Sequence, residues 1–129
     1  MFTLEQIKTA HAKVKSGADF PKYIQELKQL GIVFYETYVS DGHTHFVGQR
    51  QEQLTSAAKY TALTIAEQSD TPQFIAELKA HQAGQTDYPA FCDSCARLGI
   101  NKWVVSMEKM TCTYYNKAGH ELLVEEIPQ

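Results

Sequence analysis

Two cysteines three residues apart are the first candidates for chemistry in this sequence. Cys92 and Cys95 form a Cys-x-x-Cys pair within DYPAFCDSCARLGI, residues 87–100. This spacing is that of redox dithiols and of half a zinc site. A redox pair needs a thiolate, and the carboxylate of Asp93 between the two cysteines disfavours one. The structural alternative is two small apolar side chains on a helix, and we favour it over redox chemistry.

A zinc site would need further ligands, because structural zinc is held by four side chains. The remaining cysteine, Cys112, lies on a predicted strand, and His81 or His120 could complete the set. One Cys-x-x-Cys with scattered partners is a weak signal, whereas two such pairs would be a strong one. Zinc bound by Cys92, Cys95, Cys112 and His120 is therefore kept as an alternative, and no cofactor is expected.

Two histidines form a second possible ligand pair. His43 and His45 lie in DGHTHF, and residues two apart on a strand point to the same face. Two imidazoles on one face can share a metal, with Glu36 or Asp41 as the nearest further ligands. We favour two half-exposed histidines after a turn, because a metal site needs its full ligand set.

Aromatic side chains collect in the predicted strands and could form a binding surface. Tyrosine and tryptophan combine apolar area with a polar group, as interface residues often do. A sheet core looks the same in sequence. Tyr114 and Tyr115 are adjacent, however, so they point to opposite faces and one of them faces away from the core. The predicted ligand or partner surface comprises Tyr35, Tyr38, His43, His45, Tyr114 and Tyr115.

The elements that must position these residues are given twice in the chain. Residues 19–32 and 87–100 align without a gap and share five identities, including the Leu-Gly-Ile at their ends. We interpret this as an internal duplication with pseudo-repeats at about 1–66 and 69–129. In this alignment Cys92 takes the place of Ile24 and Cys95 that of Leu27, which supports a buried position for both thiols.

Each half reads as two helices followed by strands. Thr3 with Gln6 predicts a capping box for the first helix, which Gly17 would end, and Thr71 followed by Pro72 predicts the start of the third. The second helix of each half is predicted to start at its proline and to end at a left-handed glycine. Runs rich in β-branched and aromatic residues then predict strands, including one in KYTALTIAE at 59–67. The sequence predicts an α+β fold with a mostly antiparallel sheet and helices on one face.

Composition limits the function classes. The 129 residues suit one domain, 1–129, and the net charge of −3 gives no attraction to nucleic acid. The lysines near the start are interleaved with acidic residues. No apolar run approaches the ~20 residues of a membrane helix, and the N-terminal residues lack the features of a signal peptide. Together with an odd number of cysteines, three, this predicts a cytoplasmic protein with no nucleic-acid or membrane partner.

Four stretches carry a family resemblance that extends over nearly the whole chain. They are ADFPKYIQELKQLGI, YETYVSDGHTHFVG, DYPAFCDSCARLGINKWVV and MTCTYYNKAGHELLVEEIP. The sequence resembles the YbcV-like family of small bacterial and prophage proteins of unknown function, some of which are labelled phage envelope protein. The resemblance implies no activity and no catalytic residues. The lack of a signal peptide or membrane segment argues against a literal reading of "envelope".

The leading hypothesis is therefore a non-enzymatic protein that binds a partner protein or a small ligand. The alternative is a metal- or thiol-dependent enzyme that uses Cys92 and Cys95, or His43 and His45. A homodimer built on the aromatic strand face is a third possibility.

Overall fold

The computed structural model of the protein describes residues 2–14 and 19–128. The helices are α1 (Leu4–His11), α2 (Phe20–Gln29), α3 (Thr71–Gln82) and α4 (Tyr88–Arg97). The strands are β1 (Ile32–Tyr38), β2 (Thr44–Gly48), β3 (Gln53–Thr55), β4 (Lys102–Ser106), β5 (Thr111–Tyr115) and β6 (Glu121–Glu126). Two helices and three strands thus follow one another twice, which confirms the predicted α+β class.

One antiparallel sheet unites the two halves. Its strand order is β3-β2-β1-β4-β5-β6, so the first strand of each half lies at the centre. Across this junction, which we call the seam, Tyr35 lies opposite Val105 and Thr37 opposite Trp103. The windows 19–32 and 87–100 both fold as a ten-residue helix followed by a glycine with positive φ. The common architecture fits a duplication, whose occurrence stays a prediction.

The sheet has a core face and an outer face. Phe74 of α3 meets Tyr114 with ring centroids 4.9 Å apart, and Phe91 of α4 meets Trp103 at 5.9 Å. These contacts place the helices on the core face, where alternate strand residues are buried. The other alternate residues form the outer face and keep partial exposure. The outer face carries Phe34, Glu36, Tyr38, His45, Lys102, Val104, Thr113, Tyr115 and Val124.

The helix starts largely follow the sequence signals. Thr3 and Gln6 form the predicted capping box, with Gln6 N donating to Thr3 Oγ1 at 3.1 Å. The cap of α3 is Asp70 rather than Thr71, because the Asp70 carboxylate accepts from Gln73 N at 3.1 Å. Helices α2 and α4 begin one residue before their prolines. The predicted end of α1, Gly17, lies outside the described residues, and α1 ends at His11.

The predicted strand at 59–67 is wrong, and β3 was not predicted. The backbone of this segment bonds to two separate parts of the fold: Lys59 N donates to Asp41 O and Leu63 N to Ser40 O, both in the β1–β2 turn, and Ala66 N donates to Ala96 O of α4. A strand needs one continuous partner, and this connector has none. Strand β3 is three mostly exposed residues, so it lacks the alternation that would have marked it.

Within the described residues, no helix combines the length and the apolar character that a membrane crossing requires.

Candidate functional site

A lysine between two tyrosine rings forms the centre of the outer face. Lys102 Nζ lies 5.7 Å from the ring centroid of Tyr38 and 5.4 Å from that of Tyr115. The register explains this, because Lys102 is opposite Tyr38 on β1 and opposite Tyr115 on β5. A cation within about 6 Å of an aromatic face is attracted by the ring quadrupole. We call Glu36, Tyr38, His43, Lys102 and Tyr115 the outer-face cluster.

Glu36 joins the two sides of this cluster. Its carboxylate accepts from Lys102 Nζ at 3.0 Å and from the Tyr38 hydroxyl at 3.1 Å. Burial raises the pKa of Tyr38, and the hydrogen bond to Glu36 raises it further. For Lys102, desolvation lowers the pKa, but the hydrogen bond and charge of Glu36 prevail and raise it. Lys102 is therefore charged at neutral pH.

The β1–β2 turn adds the fifth member. His43 stacks on Tyr38 with ring centroids 4.5 Å apart, and its Nδ1 contacts Asp41 Oδ1 at 2.5 Å. The same carboxylate accepts from His43 N at 3.0 Å, which lowers the pKa of Asp41. Gly42 permits the tight turn, because its φ is +78°. Tyr38 is thus held on both sides.

The other residues of the predicted surface are divided between the two faces. His45 lies on the outer face and its Nδ1 bonds with Thr55 Oγ1 at 2.8 Å. Tyr35 and Tyr114 are buried on the core face, so they cannot contribute to a surface for a partner. Tyr115 faces outward, as the adjacency of the two tyrosines required.

Sequence reasoning missed Glu36 and Lys102 as a pair. From the sequence, Glu36 is expected only as a metal ligand for the histidines, and its carboxylate accepts from Lys102 instead. The two residues lie in different halves, and only the β1–β4 register brings them together. The Glu36–Lys102 pair could have been predicted only by assuming that the equivalent strands β1 and β4 are neighbours in the sheet.

The Cys-x-x-Cys pair lies in the interior. Cys92 is 1% exposed and Cys95 0%, like Ile24 and Leu27 at the aligned positions, and none of the three cysteines forms a disulfide. This confirms their interpretation as core side chains. Burial raises the pKa of Cys92, although hydrogen bonds from the hydroxyls of Tyr60 and Tyr88 partly lower it.

The other two thiols are also kept protonated. Burial raises the pKa of Cys95 well above its ordinary range, and the neighbouring sulfurs of Cys92 and Cys112 raise it further. Burial raises the pKa of Cys112 to about 12. Thiolate is the nucleophile and the metal ligand, so these environments oppose both functions.

The proposed zinc ligands are not assembled. His120 is exposed in the β5–β6 turn opposite Asn116, whereas Cys112 is buried opposite Glu125, about 13 Å further along the strands. His81 stacks on Phe91 at 4.4 Å and bonds Thr86. Among the described residues, no group of three or more histidine, cysteine or acidic side chains is arranged to hold a metal ion.

We predict that all three thiols are unreactive in the folded protein. Each is buried and protonated, so a disulfide reagent should modify them at least about tenfold more slowly than it modifies a free thiol at pH 7.5. The measurement is a time course with and without denaturant, in which three thiols should appear after unfolding. Rapid modification of Cys92 or Cys95 in the native protein would contradict this and support redox chemistry.

A concavity of the surface lies away from the outer face. A shallow groove of about 540 Å³ runs between α1 and α2. Its lining consists mostly of charged and amide side chains: Glu5, Gln6, Thr9, Ala10, Lys13, Glu26, Gln29 and Leu30. Lys13 and Glu26 pair across it at 3.4 Å. The groove is wide open to solvent, whereas small-molecule sites usually enclose most of their ligand.

Comparison with known proteins identifies relatives without an assigned activity. A family model described as "Protein of unknown function (DUF1398)" matches residues 8–126. The uncharacterized proteins Rv2012 of Mycobacterium tuberculosis and Mb2035 of Mycobacterium bovis are each 39% identical to the chain over 46 residues. The aligned part is 36% of this chain and 28% of each mycobacterial protein, so the match covers little more than a quarter of those relatives.

Proposed function

The chain belongs to the DUF1398 family of proteins of unknown function, and we propose that it is a non-catalytic binding protein that binds a partner polypeptide through the outer face of its sheet.

One observation carries this proposal: the outer-face cluster is already ordered. Tyr38 is held between His43 and Lys102, and Glu36 bonds both Tyr38 and Lys102. Aromatic side chains dominate the binding energy of many protein interfaces. Ordering such side chains costs free energy on binding, and that cost is small when they are fixed beforehand.

The shape of the surface favours a polypeptide over a small ligand. Six strands make the sheet about 24 Å wide, and the two concavities described for the chain are lined by residues of α1 and α2 and their flanks rather than by the outer face. A flat partner surface or an extended segment can contact several strands together. The exposed apolar side chain of Val124 extends this surface towards the sheet edge.

The alternative, a metal- or thiol-dependent enzyme, has weaker support. The thiols of Cys92 and Cys95 are buried and protonated, and the imidazoles of His43 and His45 bond different partners. Elemental analysis of the purified protein tests this alternative. Stoichiometric zinc that is lost in Cys92→Ala would favour it.

The proposal predicts that peptides selected on this protein bind the outer face. The probe is a displayed library of random twelve-residue peptides, selected on the immobilised protein. Tyr115→Ala and Tyr38→Ala should each weaken the binding of the selected peptides about tenfold or more, because these two rings lie at the centre of the outer face. The measurement is the dissociation constant of synthetic copies of the selected peptides.

The matched control is Lys28→Ala, an exposed position of α2 on the opposite side of the sheet. It should leave the dissociation constants unchanged. Selected peptides that bind both tyrosine variants as tightly as the wild type would overturn the proposal, as would the absence of any selected binder.

A further inference from the structure

Strand β6 offers an unpaired edge to solvent. It is the last strand of the sheet and pairs with β5 on one side only. In the described part of the chain, no other backbone group bonds β6. Backbone N–H and C=O groups at such an edge are a template for another strand. The opposite edge, β3, is only three residues long, whereas β6 has six.

The side chains of β6 define what this edge can accept. Glu126 and Val124 lie on the outer face, opposite Thr111 and Thr113 of β5, and Glu121 lies opposite Tyr115. Val124 is 50% exposed. On the core face, the Glu125 carboxylate accepts from Gln82 Nε2 at 3.1 Å. The outer face of the edge thus presents an apolar side chain between two carboxylates.

A second copy of β6 is a less favourable partner for this edge than a segment of opposite charge. In an antiparallel pairing of β6 with itself centred between Leu123 and Val124, Glu121 would face Glu126 of the other copy. A shift of one residue brings Glu121 opposite Glu125. Like charges directly opposite each other destabilise a sheet. The glutamates therefore disfavour these two registers of self-pairing, whereas lysine or arginine of a basic segment would meet the same glutamates with opposite charge.

We propose that the edge of β6 binds an extended, basic segment of another polypeptide, which adds to the sheet as a seventh strand. Main-chain hydrogen bonds would supply the affinity, and alternate side chains would supply the specificity. The segment carries lysine or arginine opposite Glu126, an aliphatic residue two positions away opposite Val124, and a further basic residue towards Glu121. This inference does not depend on the outer-face cluster.

The test uses a synthetic peptide and amide hydrogen exchange. The probe is lysine–threonine–valine–threonine–lysine, acetylated and amidated, added to the isotope-labelled full chain at low salt. The amides of β6 that point away from β5 should become protected from exchange, while those already bonded to β5 change little. A peptide methylated at alternate backbone nitrogens should not protect them, because it cannot donate to the edge.

Charge variants then separate strand addition from general attraction. Glu126→Lys should raise the dissociation constant of the lysine peptide about tenfold, because an attractive charge pair becomes a repulsive one. Glu5→Lys changes the net charge equally at an exposed position of α1 and should leave binding unchanged. Both positions are exposed, so both variants should retain the native spectrum.

Several outcomes would overturn the inference. They are binding without protection of β6, equal binding of a peptide with glutamate in place of lysine, and protection of β6 by dimerisation without peptide. Tyr115→Ala distinguishes the two proposals. If Tyr115→Ala abolishes binding of the peptides selected from the library, while the lysine peptide still protects the β6 amides from exchange, the two surfaces act independently. If the lysine peptide loses binding to Glu126→Lys but still binds Tyr115→Ala, its binding site is the edge of β6.

Discussion

Raising the pH from about 8 to about 10.5 is expected to unfold the protein. The interior contains three thiols and several phenols that are neutral in the folded state. They can ionise readily only after unfolding exposes them to water. High pH therefore favours the unfolded state.

The direction follows from the raised pKa values. A buried thiol has its ordinary pKa of 9.0 when unfolded, and in the native state the pKa of Cys112 is about 12. An acid whose folded pKa is raised contributes stability below the unfolded value, and that stability is lost as the pH rises towards the folded value. The window therefore begins near pH 9. Burial also raises the pKa values of Tyr35 and Tyr114, which extends the effect above pH 10.

The size of the effect rivals the stability of the fold. Each thiol that ionises on unfolding lowers the free energy of unfolding by about 1.4 kcal/mol per pH unit above its unfolded pKa. Cys95 and Cys112, whose pKa values are raised furthest, together lower it by about 3 kcal/mol per unit, or about 4 kcal/mol at pH 10.5, and Cys92 and the buried phenols add to this. Domains of this kind are stable by about 5–15 kcal/mol.

The measurement is urea unfolding between about pH 8 and pH 10. Cys112→Val removes one ionisable group from the core face while keeping an apolar side chain, so its slope should be shallower by about 1.4 kcal/mol per pH unit above pH 9. A free energy of unfolding that does not change with pH, or equal slopes for the two proteins, would show that the thiols ionise freely in the native state.

Gly99→Ala should destabilise the protein by about 2–5 kcal/mol, because it combines backbone strain with a steric clash. The φ of Gly99 is +83°, and a Cβ there would lie 2.7 Å from Gln68 O and 2.8 Å from Ser69 Cα. Both atoms belong to the backbone just before α3, where the connector at 59–67 continues to Asp70, and this stretch is fixed by the bond from Asp70 N to Leu98 O at 3.0 Å. The clash therefore cannot be relieved by rotating a side chain.

The first half of the chain supplies the control. Gly31 occupies the aligned position with a φ of +93°, but an added Cβ would meet nothing within 4 Å. Gly31→Ala should therefore cost only the conformational strain, about 1–2 kcal/mol. Chemical denaturation of both variants measures the difference. Equal losses would mean that the connector does not press against Gly99 in solution.

The same pair of glycines shows how far the sequence could lead. Both positive φ values could be predicted from the Leu-Gly-Ile ends of the aligned windows. The helices before these glycines and the buried positions of Cys92 and Cys95 could be predicted from the same alignment. These features depend on local patterns of apolar residues. The close approach of Ser69 to Gly99 could not be predicted, because no periodic pattern marks the path of the connector.

Only the part of the candidate site that depends on local sequence could be predicted. Tyr38 and His43 are close in sequence, and their hairpin is signalled by its turn residues. Glu36 and Lys102 meet only because β1 pairs with β4, and strand pairing between distant segments leaves no local trace. The exposed edge at β6 likewise follows from the strand order rather than from the composition of the strand.

The seam between β1 and β4 also has a kinetic consequence. Within each half, helices and hairpins join neighbouring segments, so they can form quickly. The pairs Tyr35–Val105 and Thr37–Trp103 join segments far apart in the chain, and their loop must close before their contacts contribute. We therefore expect the meeting of the two halves at this seam to be the rate-limiting event of folding. Until it occurs, β1 and β4 are themselves open edges, and the newly made chain is most exposed to aggregation during that interval.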